Sequence, residues 1–337
     1  MADKSLKSLK LRGAAIMLCS ISLLAASCQD IERPLSPDEL ATNRAELAEI
    51  LDNPASRTKL IAKVMGSTVE AERHAYLNFH VFGYAGDGNL IPFFSMNNYV
   101  IQKWRPGEDS TFEVDHYEVA YYSEFDSTEP ISEWENPLTG EVVELPHFVL
   151  GPVPRLYGPG IGEDPASFAP DPLNITMIGD RVYIPTLSKF RFPNSLTTDE
   201  WGAYGGSPTT YWDSMLVYSA NIEDALDEDK THVSAEMHMQ NLVSWAPYFK
   251  LGDSPGRTMV RAYGQHISGF DDLPADIREN LAKFTPEIFD LDNWTETRID
   301  SAELAQSLAE ARANGTLDID QPDYLAPTIK RFDELDN

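Results

Sequence analysis

From about residue 73 to 270 the sequence repeats one pattern, a short run of aromatic and β-branched residues followed by Gly, Pro, Asn or Asp. Ala75–Gly83, Asn98–Lys103, Val114–Tyr122, Glu141–Val149, Arg181–Pro185, Tyr211–Ser219, His232–Gln240 and Thr258–His266 are such runs. Residues of the first kind fit a pleated, half-buried surface, and those of the second kind fit turns. The gaps leave little room for the helical crossovers that parallel strands need. The pattern therefore predicts a mainly β fold, a large antiparallel β-barrel or sandwich. Two Gly- and Pro-rich stretches, 151–172 and 187–210, read as long loops serving as lids or rims.

Helical signals flank this region. Ser36-Pro37-Asp38-Glu39 is a capping box with proline at the first helical position, and Leu40, Leu47, Ile50 and Leu51 follow as one apolar stripe. Asn53-Pro54 opens a second helix that carries Leu60, Ile61, Val64 and Met65 and stops at Gly66. Beyond Gly269, further helices are expected over Pro274–Phe284, over Asp300–Gly315 and over Asp323–Leu335. The layout is one domain over 36–337, with helices over 36–66, a β core over 73–270 and a helical C-terminal region over 271–337. The N- and C-terminal helices are expected to pack against the sheet or to plug a barrel end.

The first 27 residues read as a signal segment. Lys4, Lys7, Lys10 and Arg12 precede an apolar run from Gly13 to Ala26, broken only by Ser20 and Ser22. That run is shorter than the roughly 20 residues that span a bilayer. Leu24-Ala25-Ala26-Ser27-Cys28 is similar to the lipobox of bacterial lipoproteins, so Cys28 is the expected lipid-bearing residue and 28–35 a tether. The expected location is the cell envelope, on the periplasmic side, with membrane contact through the lipid alone. Cys19 is the only other cysteine and lies in the signal, so stability must come from the core rather than from disulfides.

The formal charge is −28, and removal of residues 1–27, which carry four basic residues and one acidic, leaves −31. Such a surface repels phosphate backbones and anionic headgroups, which argues against nucleic acid as a partner. No acidic stretch has EF-hand spacing.

Two longer motifs stand out. One is Ile131-Ser132-Glu133-Trp134-Glu135-Asn136-Pro137-Leu138-Thr139-Gly140-Glu141. The other is Trp245-Ala246-Pro247-Tyr248-Phe249-Lys250-Leu251-Gly252-Asp253-Ser254-Pro255-Gly256-Arg257, followed by Gly264 and Leu273-Pro274. Turn chemistry accounts for the Gly and Pro of each. Trp134 and Trp245 are then core anchors or the wall of a ligand pocket. In order and separation the motifs resemble the bacterial family called domain of unknown function 1838, over most of residues 70–290. The resemblance implies export and carries no activity, cofactor or catalytic residue.

Common catalytic signatures are absent, including the Gly-x-Ser-x-Gly elbow, the Walker loop and His-Glu-x-x-His. Cysteine-based zinc sites are excluded by the count. Three strands do place polar residues at period two. His80 shares a face with Tyr76 and Asn78, His116 with Glu118 and Tyr122, and Glu236 with His238 and Gln240. If those faces meet solvent they carry no chemistry. If they point into a barrel, His80, His116, Glu118, Glu236 and His238 could converge. A histidine beside a carboxylate is a candidate general base, and histidines with a carboxylate could hold a metal. His74, His147, His232 and His266 read as surface or core residues. The sequence names no cofactor.

The leading expectation is binding of a small apolar or aromatic molecule in the sheet's concavity, with Tyr122, Trp134 and Trp245 among its contacts. A cofactor-free or metal-dependent lyase, isomerase or hydrolase is the alternative, and a structural envelope protein the second.

Overall fold

The computed structural model describes residues 34–145, 148–159, 171–172, 174–194, 198–294 and 313–315. Helices α1 (Pro37–Asp52) and α2 (Pro54–Met65) come first. They are followed by strands β1 (Ala71–Ala85), β2 (Leu90–Pro106), β3 (Phe112–Ser123), β4 (Glu133–Glu135), β5 (Val142–Glu144) and β6 (Phe148–Tyr157). Next come β7 (Asp171–Pro172), β8 (Thr176–Ile178), β9 (Arg181–Pro193), α3 (Thr198–Trp201), β10 (Thr209–Asn221) and α4 (Ile222–Leu226). Strands β11 (Glu236–Val243) and β12 (Gly256–Ile267) and helix α5 (Ala275–Phe284) complete the strands and α-helices of the described residues. The signal segment, Cys28, His147 and nearly all of the two last expected helices lie outside the described residues.

The main sheet has the order β6-β3-β2-β1-β12-β11-β10-β9-β7, with β8 also on β9. All its ladders are antiparallel. The long strands pair with their neighbours in sequence, and β12 returns to pair with β1 over twelve residues. This is an up-and-down meander with no ladder between β6 and the β7–β9 end among the described residues, a curled half-barrel. The curl is evident in the packing. Tyr157 on β6 and Ile184 on β9, near opposite ends of the strand order, belong to one apolar cluster.

Three packed regions fix this shape. On the concave side, Leu77, Phe79, Val100, Trp104, Val114, Ile184, Tyr218 and Met237 meet Leu60, Ile61, Val64 and Met65 of α2, which close one end of the curl. Ser36 and Glu39 cap α1 reciprocally, and the Asn53 side chain caps α2. Gly66 ends α2 against the Trp104 indole, where any Cβ would lie 1.9 Å from the ring. Lys63 points inward and donates to the Ala225 and Asp227 carbonyls at the end of α4 (3.0 and 2.6 Å), which lets a buried ammonium replace its water. Burial lowers the pKa of that amine.

The second region lies on the convex side of β1–β3. There Tyr99, Ile101, Tyr117, Val119 and Tyr121 pack under Ile277 and Leu281 of α5. The third is a plug at the other end of the curl, built from the two sequence motifs. Trp134 pairs with Val143 across a β4–β5 hairpin. Its turn is tied by Gly140 N–H to Asn136 O (2.7 Å), with Gly140 at φ 73°. Asn136 also donates through Nδ2 to Phe249 O (2.8 Å), so the first motif is bonded to the second. Phe93, Phe94, Tyr122, Trp134 and Phe249 form the aromatic centre of the plug.

Candidate functional site

Strand register decides which polar side chains face the interior. Residues directly opposite in a ladder share a face. Gln102 pairs with His116, Val100 with Glu118 and Asn98 with Ala120, and Val100 belongs to the concave cluster. Asn98, Gln102, His116 and Glu118 therefore lie on the concave wall.

They form one hydrogen-bonded chain. Trp104 Nε1 donates to Gln102 Oε1 at 3.1 Å. An indole N–H can only donate, which sets the Gln102 amide with its nitrogen toward His116 Nδ1, 3.3 Å away. His116 Nδ1 is thus the acceptor, and His116 Nε2–H donates to Glu118 Oε2 at 2.9 Å. Asn98 Nδ2 donates to the other oxygen, Glu118 Oε1. Burial lowers the His116 pKa to about 4, helped by the positive charge of Arg155 and only partly opposed by Glu118, so the ring is neutral near pH 7. Burial alone would raise Glu118. The hydrogen bonds from His116 and Asn98 and the charge of Arg155 outweigh it and leave the carboxyl below its ordinary value.

This arrangement constrains the chemistry. Both imidazole nitrogens of His116 are occupied, and a ring with so low a pKa is a weak base at neutral pH. Among the described residues, no group of three or more His, Cys, Asp or Glu side chains is placed to hold a metal ion.

The convergence expected from the alternating strands does not occur. Met237 and Met239 pair with Gly264 and Ala262 on the concave side, so Glu236 and His238 take the convex side, where both are exposed. Glu236 sits 3.3 Å from Arg181, and His238 lies edge-on to Tyr263. His80 is convex as well, bonded to the exposed Asp126 at 2.7 Å and beside Phe125. Only His116 and Glu118 of the five candidates meet. The reason is parity, because a strand has two faces and the more apolar one in β1 and β11 takes the interior.

The three expected ligand contacts belong to the second plug. Trp134 is buried and donates to Phe93 O at 3.1 Å. Tyr122 is buried with its hydroxyl 3.0 Å from that of Tyr248. Trp245 is half-buried, stacks on Phe93 and donates to Ser254 O at 3.0 Å.

Several residues of the concave wall were missed by sequence reasoning. Asn98 and Gln102 share their face of β2 with Val100 and Trp104, so no polar stripe is visible. Arg155 and Tyr157 lie in β6, where Gly151, Pro152 and Pro154 give the sequence the character of a loop. As the edge strand beside β3, β6 tolerates prolines that a central strand would not.

Fold and site together define an open antiparallel half-barrel with a polar chain inside and a plug at each end. Residues 78–302 match the family described as protein of unknown function DUF1838, and the chain belongs to that family. No curated protein matches the chain. The matched segment begins within β1, so α1 and α2 precede it although α2 fills the concave core.

Proposed function

We propose that this protein binds a small, largely apolar molecule between the two plugs of the half-barrel. One observation carries the reading. Met96 and Val260 touch both the α2-side cluster and the plug cluster, yet remain only partly buried, as do Leu216 and Met239 beside them. The concave layer between the plugs is therefore less tightly filled than either end. An apolar concavity with a few oriented polar groups is the usual form of a small-molecule site. Toward the β9–β10 end, Phe190 and Trp212 pair across the ladder and are 37% and 41% exposed, which adds aromatic contact surface on the same face. The occupied nitrogens of His116 favour binding over acid–base catalysis.

The test is a titration with a neutral fluorescent probe, N-phenyl-naphthylamine, against the wild type and Leu216→Trp. Saturable binding at about one site per chain is expected, together with its loss when the added indole fills the hollow. Absence of saturable binding to the wild type would overturn the reading.

The reading includes export, with the domain held at the envelope by a lipid on Cys28. The basic, apolar, small-residue and cysteine order of residues 4–28 supports it. Cys28→Ser should abolish lipid labelling and membrane retention.

A further inference from the structure

Arg155 is an uncompensated charge of the concave wall, as is Arg73, which pairs with Gln102 and whose Nε is buried without a partner. The ladder partner of Arg155 is Val114, a member of the concave cluster, so Arg155 projects to the same side as His116. It is only partly exposed, and among the described residues it has no hydrogen bond and no ion pair, in a chain with 54 acidic residues against 26 basic ones. Tyr157 lies two residues along β6 on the same face, and Val114, Tyr157 and Tyr218 of β10 belong to one cluster, so Arg155 borders groups from separate strands of the curl.

The obvious internal counterion is already engaged. The two oxygens of Glu118 take His116 Nε2 and Asn98 Nδ2, and no Arg155–Glu118 ion pair forms among the described residues. Other donors near Arg155 are equally idle. Tyr157, 1% exposed and stacked on Trp104 at 5.2 Å, has a buried hydroxyl with no partner. Tyr218 is buried on the concave face of β10, and its hydroxyl has no hydrogen bond among the described residues. A buried hydroxyl without a partner, as at Tyr157, is costly, and native structures retain such groups where something else completes them.

We propose that the bound molecule is a monocarboxylate with an apolar body, its carboxylate held by Arg155 with the Tyr157 and Tyr218 hydroxyls as flanking donors. This rests on the binding reading above and specifies the polar end of its ligand. The guanidinium fork matches a carboxylate in two parallel hydrogen bonds, and each phenol supplies one further donor. The apolar body then lies toward Leu216, Met239, Met96 and Val260.

Displacement of N-phenyl-naphthylamine by decanoate, decanol and methyl decanoate tests this, with the wild type, Arg155→Gln and Tyr218→Phe. Decanoate is expected to bind the wild type about tenfold or more tightly than decanol, the size of a charge-assisted hydrogen bond. Arg155→Gln should erase that preference while probe binding and melting temperature hold, and Tyr218→Phe should reduce it in part. Equal displacement by acid, alcohol and ester in the wild type, or an acid preference that survives Arg155→Gln, would overturn the carboxylate assignment and leave the binding reading standing. No probe binding at all would sink both.

Discussion

Strand β3 carries His116 and Glu118, and strand β11 carries Glu236 and His238, the same residue types at the same spacing. Their environments are opposite. The β3 pair is inside, joined at 2.9 Å and linked to Asn98, Gln102 and Trp104. The β11 pair is outside, with each residue in contact with a different neighbour, the half-buried Arg181 and the exposed Tyr263. The difference lies in what covers each sheet face. On β3 both faces are covered, the concave one by the curl and the convex one by α5, so Tyr117, Val119 and Tyr121 can be apolar opposite His116 and Glu118. On β11 the convex face is bare, and the apolar Met237 and Met239 must take the interior. A polar residue on a doubly covered strand is a buried polar residue, whereas on a singly covered strand it is a surface residue.

The largest test of this contrast is paired truncation. His116→Ala strips Glu118 and Gln102 of a partner inside the wall and should cost roughly 3 kcal/mol, because it leaves one oxygen of a buried carboxylate without its hydrogen bond. His238→Ala should stay within about 0.5 kcal/mol, as exposed substitutions do. Urea denaturation reads both, and similar losses would break the comparison.

A second test is pH dependence. His116 and His266 are buried and have pKa values of about 4 when folded against 6.5 when exposed. Below 6.5 the unfolded chain takes up protons that the folded chain refuses, so stability should fall as pH drops from 6.5 toward 4. Each group contributes a slope of up to about 1.4 kcal/mol per pH unit. Glu118, lowered in the fold, adds loss in the same sense at still lower pH. His116→Gln should make the slope in the upper window shallower, with His266 and the lowered His74 and His232 carrying what remains. A wild-type profile flat from pH 6.5 to 4 would mean that neither ring is held neutral.

The smallest effect belongs to Glu236→Gln. Its contact joins an exposed carboxylate to a half-buried guanidinium that also bonds Ser219, and pairs near the surface are worth roughly 0–1 kcal/mol. The loss should be a few tenths of a kcal/mol and vanish in high salt. A loss comparable to that of Glu118→Gln would place Glu236 in a buried network and erase the contrast.

Much of this was legible in the residues. The period-two runs and their turn punctuation predict antiparallel strands. The capping signals at Ser36, Asn53 and Gly66 predict helices that form as α1 and α2. The Asn136–Gly140 turn predicts its hairpin. These are local properties, set by backbone sterics and by groups within a few positions in the chain. Strand β6 was hidden because proline argues against a strand until its place at an edge is known.

What only the tertiary structure decided is the face of each strand and the company it keeps. The sequence determined that His116 and Glu118 lie on one side of β3 and Glu236 and His238 on one side of β11. It carried no term for which side the curl would enclose, nor for α5 covering the outside of β3. That choice depends on the summed apolar area of every strand, helix and plug, and those areas meet only when distant segments pack. The pairing of Arg155 with Val114, which brings a guanidinium to the same wall as His116, is a product of that packing.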